Sequence, residues 1–198
     1  MVSSLPNLLT LFRIVAIPLL VATFYLDSPT MRWIALGLFS LAGISDFLDG
    51  WLARRWQQVS SLGRFLDPIA DKLLVASVLM MLVAFHRIDA WGVLPALVIL
   101  CREILVSGLR EFLAEAKVGL PVTNLAKWKT GVQMVALPVL LVGSAAPSWL
   151  PAEHIGTVLL WIAALLTAVT GWDYLRAGLH HMDQTPTHDK NTVRATET

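Results

Sequence analysis

One cysteine in 198 residues, Cys101, excludes an intrachain disulfide, and no cluster of Cys and His has the make-up of a zinc site. Charge is scarce too: 15% of residues are charged against 56% hydrophobic, at a mean hydropathy of +0.67. So little charge excludes an ordinary soluble domain and points to a polytopic membrane protein. The formal net charge of +1 identifies no partner, because the distribution of charge matters more than its sum. No nucleic-acid partner is expected. Arg13 interrupts the first apolar run and no small-residue cleavage site follows it, so the N-terminus is expected to be retained.

What the chain has in quantity is apolar segments about as long as a bilayer requires at roughly 1.5 Å per residue. The first runs from Leu8 to Leu26, and the second from Met31 into an aspartate-rich stretch. A third begins near Phe65 and ends by His86, and a fourth runs from Trp91 towards Phe112. The last two run roughly from Trp128 to Val142 and from Ile155 to Leu179. These predict an all-α bundle of six transmembrane helices with both ends on one side. Arg54, Arg55, Arg64, Arg110, Lys117, Lys127, Lys129, Arg176, Lys190 and Arg194 fall on that side, against Arg32 and Arg87 on the other, which makes it cytoplasmic. Trp33, Trp91, Trp149 and Trp161 suit interfacial or lipid-facing positions. The polar tail Asp183 to Thr198 has no apolar period and reads as disordered, leaving residues 1–182 as a single catalytic domain.

Four aspartates stand against this apolar background. Asp46, Asp49 and Gly50 share one helical face, and Asp67 and Asp71 share a face of the next helix. Unpaired carboxylates at a membrane surface are costly, so they mark function by default. Four hard oxygen donors so close together repel one another unless cations lie between them, and Mg²⁺ or Mn²⁺ with a phosphorylated substrate is the usual solution. Helix capping accounts for one carboxylate per helix end, not for four.

From Asp46 the pattern reads D-x2-D-G-x2-A-R-x8-G-x3-D-x3-D, filled by Asp46, Asp49, Gly50, Ala53, Arg54, Gly63, Asp67 and Asp71. It resembles, without a departure, the signature of the CDP-alcohol phosphotransferase family, membrane enzymes that move a phosphoryl-alcohol group from a CDP-linked donor to an acceptor hydroxyl. The resemblance implies two divalent cations. Asp46 and Asp67 would each touch both, Asp49 one and Asp71 the other, with Asp71 also deprotonating the acceptor. Gly50, Ala53, Arg54 and Ser60 would hold the CDP group. Small residues let a nucleotide approach the helix backbone, and the arginine fork suits phosphate. Asn7, Thr10 and Arg13 recur three apart on the first helix, as interfacial caps and a snorkelling arginine or as part of the site. As site residues, Asn7 and Thr10 are assigned to the donor and Arg13 to the acceptor phosphate. A homodimer in a bacterial inner membrane, its active site facing the cytoplasm, is what the family implies.

The signature does not choose the acceptor. Glu103, Ser107, Arg110 and Glu111 form one polar face of the fourth helix, and such a stripe is expensive in lipid. Lys127 and Lys129 open the fifth helix either as topology anchors or as a phosphate clamp. Together with Arg110 they read as an anion pocket, which favours glycerol 3-phosphate. PNLLTLFRI, CREILVSGLREF and AKWKTGVQMVALP also resemble the bacterial branch of the family that makes phosphatidylglycerophosphate from CDP-diacylglycerol. The branches that make cardiolipin or phosphatidylinositol phosphate are the alternatives. Asp173 reads as a partner for one of the arginines. A cation transporter is the alternative outside the family, but its paired, interrupted helices have no counterpart here, because the acids cluster in one helix pair.

Overall fold

The computed structural model describes residues 5–56, 61–115 and 124–184. Among these there is no strand, and the expected bundle of six helices is present: α1 (Leu5–Tyr25), α2 (Pro29–Trp56), α3 (Ser61–Ala84), α4 (Ala90–Glu115), α5 (Asn124–Val142) and α6 (Ala152–Gln184), with a 3₁₀ turn at Gly143–Ala145. Five of the six are long and apolar enough to cross a membrane, which makes this a multi-pass membrane protein. The exception is α3, whose first turns carry Asp67, Asp71 and Lys72 ahead of the apolar run from Leu73. Its expected span is thus a helix half given over to the site. Helix α6 continues through Asp183 and Gln184, the first two residues of the expected tail, and the rest of that tail lies outside the described residues.

Local chemistry sets the turns. Ser28 Oγ accepts the backbone N–H of Met31 at 3.2 Å, and Pro29 follows as the first residue of α2, where its missing N–H is no loss. Asp89 caps α4 by accepting the N–H of Gly92 at 2.8 Å. His86 ends the α3 connection in the left-handed region, at φ 50°, a conformation for which histidine is one of the better residues. At this end of the bundle Asp27 accepts hydrogen bonds from Arg32 at 3.2 Å and Arg87 at 3.0 Å, and Arg87 reaches the carbonyl of Leu141 at 3.3 Å, tying three connections together.

The helices form two groups. α1 packs on α2 and α3, α6 packs on α4 and α5, and the groups meet where α2 crosses α5 and where α3 meets α4 and α5. Leu20, Phe24, Phe39, Leu79, Leu82 and Leu140 belong to one continuous core. Glycines set the approach of α6: an added Cβ would lie 2.6 Å from the Leu140 side chain at Gly156 and 2.8 Å from Leu109 at Gly178. Small residues at such crossings let helices pack closely where lipid supplies no hydrophobic drive. Trp33, Trp91 and Trp149 are exposed, as interfacial or lipid-facing positions require, and Trp161 is half-buried.

Candidate active site

Because α1 touches both α2 and α3, two side chains one turn apart on it reach the aspartates of both helices. Thr10 donates to Asp67 Oδ1 at 2.5 Å. Arg13, fully buried, lies 2.8 Å from Asp46 Oδ1 through one terminal nitrogen and donates to Asp49 Oδ2 at 2.5 Å through the other. The structure therefore places Thr10 and Arg13, expected at the donor and the acceptor phosphate, against the aspartates of α2 and α3. A fork geometry explains it: a guanidinium bridges two carboxylates three residues apart on one helix face. Asp49 is buried, whereas the Asp46 side chain is 44% exposed. Asp46 also lies close enough to Asp67 and Asp71 for their charges to repel.

Where the two helix groups meet there is a cavity of about 820 Å³. Asp71 lines it from α3, Arg110 from α4, and Lys127 and Lys129 from α5, so four of the expected site residues share one space. Lys129 is buried and donates to Glu103 Oε1, which also lies 3.5 Å from Arg102. Arg102 reaches across to Thr170 Oγ1 on α6 at 3.3 Å and lies 5.8 Å from the Tyr174 ring. Glu103 thus holds two cations at the cavity wall. Ser107 and Glu111, the rest of the α4 stripe, line an adjoining cavity of about 270 Å³ with Arg110.

The other expected donor residues are only partly described. Gly50, Ala53 and Arg54 lie on α2 and Asn7 on α1, their side chains outside the described residues, and Ser60 lies outside them altogether. Asp173 is exposed, and among the described residues no ion pair includes it; its neighbour Tyr174 faces Arg102 instead. Sequence reasoning passed over Lys72 and Gln133, which also line the large cavity. A signal for Gln133 was present: it is a polar residue four positions after Lys129, hence on the same helical face.

Residues 3–169 match the CDP-alcohol phosphatidyltransferase family. The chain belongs to that family. Curated relatives named CDP-diacylglycerol–glycerol-3-phosphate 3-phosphatidyltransferase include a Rickettsia bellii protein 51% identical over 174 residues, covering 88% of this chain and 94% of that protein. A Cereibacter sphaeroides protein of the same name is 40% identical over 90% of this chain and 97% of its own length, and one from Salmonella choleraesuis is 43% identical over 88% and 94%.

CDP-alcohol phosphatidyltransferases use divalent metal ions. Among the described residues no three acidic, histidine or cysteine side chains converge as a closed ligand set. The donors nonetheless fit such a group: the carboxylate of Asp46 on α2 lies near those of Asp67 and Asp71 on α3, and Asp46 and Asp49 already hold a cation in the Arg13 guanidinium. Asp46, Asp49, Asp67 and Asp71 are the residues that would bind it.

Proposed function

We infer that this protein transfers the phosphatidyl group of CDP-diacylglycerol to glycerol 3-phosphate, giving phosphatidylglycerophosphate and CMP. The observation that carries this reading is that Asp71 lines the same cavity as Arg110, Lys127 and Lys129. An acceptor that brings its own phosphate needs such a cationic wall, and its free hydroxyl needs a base. Asp71 takes the hydroxyl proton, the alkoxide oxygen attacks the phosphatidyl phosphorus, and the bond from that phosphorus to the CMP oxygen breaks. Bound Mg²⁺ or Mn²⁺ supplies charge neutralisation for the pyrophosphate and the departing CMP. Gly50, Ala53, Arg54, Ser60 and Asn7 hold the CDP group, while Thr10 and Arg13 orient the carboxylates. An apolar groove of about 490 Å³ between α2 and α5 runs past Gly43, Ile44 and Met134 to Asp46 and suits an acyl chain of the donor. The names of the relatives support the same substrates.

Purified protein supplied with labelled CDP-diacylglycerol and a panel of alcohol acceptors tests this reading. Glycerol 3-phosphate is the expected acceptor; exclusive use of serine, inositol phosphate or phosphatidylglycerol refutes the assignment. A charge-assisted hydrogen bond to phosphate is worth about 1.5–3 kcal/mol. Arg110→Ala and Lys127→Ala are therefore each expected to raise the KM for glycerol 3-phosphate about ten- to hundredfold and to leave that for CDP-diacylglycerol nearly unchanged. An effect confined to the lipid donor would move both residues to the donor site.

The protein sits in the bacterial inner membrane as a homodimer, with the site and both termini in the cytoplasm. The excess of lysine and arginine on that side supports the orientation. With Cys101 replaced, a Gln57→Cys variant is expected to resist an impermeant thiol reagent in intact cells and to react in inverted vesicles. Labelling from outside overturns the orientation.

A further inference from the structure

Gln133 is only 3% exposed, lines the large cavity with Asp71, and has a side-chain carbonyl oxygen, Oε1, with no hydrogen-bond partner. A buried amide oxygen left unpaired is destabilising, so a group that donates to it has a place ready. Two of the cation side chains in the same lining point their terminal nitrogens elsewhere, Lys129 to Glu103 and Arg102 to Glu103 and Thr170. Depth adds a second argument. At about 1.5 Å per residue, Asp71 and Gln133 both lie roughly 14–15 Å from the ends of α3 and α5 that begin at Ser61 and Asn124. By the same measure Lys127 and Arg110 lie only about 5–8 Å from the ends of α5 and α4. Lys127 and Arg110 thus stand nearer their helix ends than Asp71 and Gln133 do, while Arg102 and Lys72 line the cavity farther in.

An acceptor with its phosphate at Arg110 and Lys127 and its terminal hydroxyl at Asp71 has its middle hydroxyl between them, in the cavity that Gln133 also lines. We propose that Gln133 is a specificity-determining residue, whose Oε1 accepts a hydrogen bond from the non-reacting middle hydroxyl of glycerol 3-phosphate. It selects a diol phosphate over a mono-alcohol phosphate of the same length. The inference rests on the acceptor reading above.

The test compares kcat/KM for glycerol 3-phosphate and for 3-hydroxypropyl phosphate, which lacks only the middle hydroxyl, in the full-length protein. Wild type is expected to prefer the diol about tenfold, the worth of one neutral hydrogen bond. Gln133→Met, similar in volume and without the carbonyl, is expected to lose that preference through a fall on glycerol 3-phosphate alone, with the KM for CDP-diacylglycerol unchanged. Gln133→Glu, which keeps an acceptor oxygen in place, is expected to retain it. Equal losses on both acceptors in Gln133→Met mean a packing role and overturn the proposal while leaving the acceptor reading intact. Should Gln133→Met not fold, Gln133→Asn, with its carbonyl drawn back by one methylene, must also lose the preference; full retention overturns the proposal. Wild type that ignores both phosphates defeats the acceptor reading first, and the proposal with it.

Discussion

Asp46→Asn and Asp67→Asn are each expected to lose phosphatidyl transfer by more than the ~10–100-fold that follows loss of an outer-shell metal partner, and excess chelator is expected to silence the wild type. The substitution removes charge and hardly changes volume, so the donors lose their hold on a divalent ion while the packing around them stays. Asp46 is better suited to this experiment than Asp49, because its side chain is 44% exposed whereas that of Asp49 is buried. Asp49→Asn is a different case. Its carboxylate is buried against Arg13, and the variant is expected to lose stability as well as activity. Asp71→Asn is expected to bind CDP-diacylglycerol and turn it over slowly, because the acceptor hydroxyl then has no base. Rates are read with labelled donor, folding by size exclusion in detergent. Undiminished activity in chelator would refute the metal role, and normal turnover by Asp71→Asn would refute the base.

Arg13→Leu is expected to be the most destabilising single change in the first helix. Arg13 is fully buried and holds both Asp46 and Asp49, so its removal takes a buried ion pair from the Asp49 carboxylate. Breaking a buried ion pair by deleting one partner costs about 3–5 kcal/mol. Arg13→Lys restores the charge but not the two-pronged geometry, and an intermediate loss is expected. Thermal unfolding in detergent, with and without Mn²⁺, reads both the loss and its cause. Added Mn²⁺ is expected to stabilise Arg13→Leu more than wild type, since a cation at Asp46 and Asp49 then replaces a missing one. A melting temperature equal to that of wild type would show that Asp49 does not depend on this arginine.

Asp71, Arg110, Lys127 and Lys129 each stood out by type and position as candidates, because charge is expensive among apolar helices and must have a use. Arg110 and the two lysines already read as one anion pocket; that Asp71 lines the same cavity depends on α3 approaching α4 and α5. Arg13 shows the limit most sharply. A lone arginine in an apolar helix reads equally as a snorkelling cation, a phosphate ligand or a partner for acids, and only the packing of α1 against α2 selects the last. Asp173 and Tyr174 show it again, because adjacent positions differ by about 100° around a helix and a small rotation decides which faces Arg102.

The sequence by itself determined the membrane class, the all-α bundle, the family and the pairing of aspartates on each of two helices. Those properties depend on composition, on run length and on spacing along one helix, all of which are local. Tertiary structure alone decided that Arg13 neutralises Asp46 and Asp49, that Glu103 holds Lys129 at the cavity wall, and that Gln133 is buried in the same cavity as Asp71. Periodicity says which residues share a face, but which faces meet is set by interhelical packing, down to the glycines that let α6 close on its neighbours.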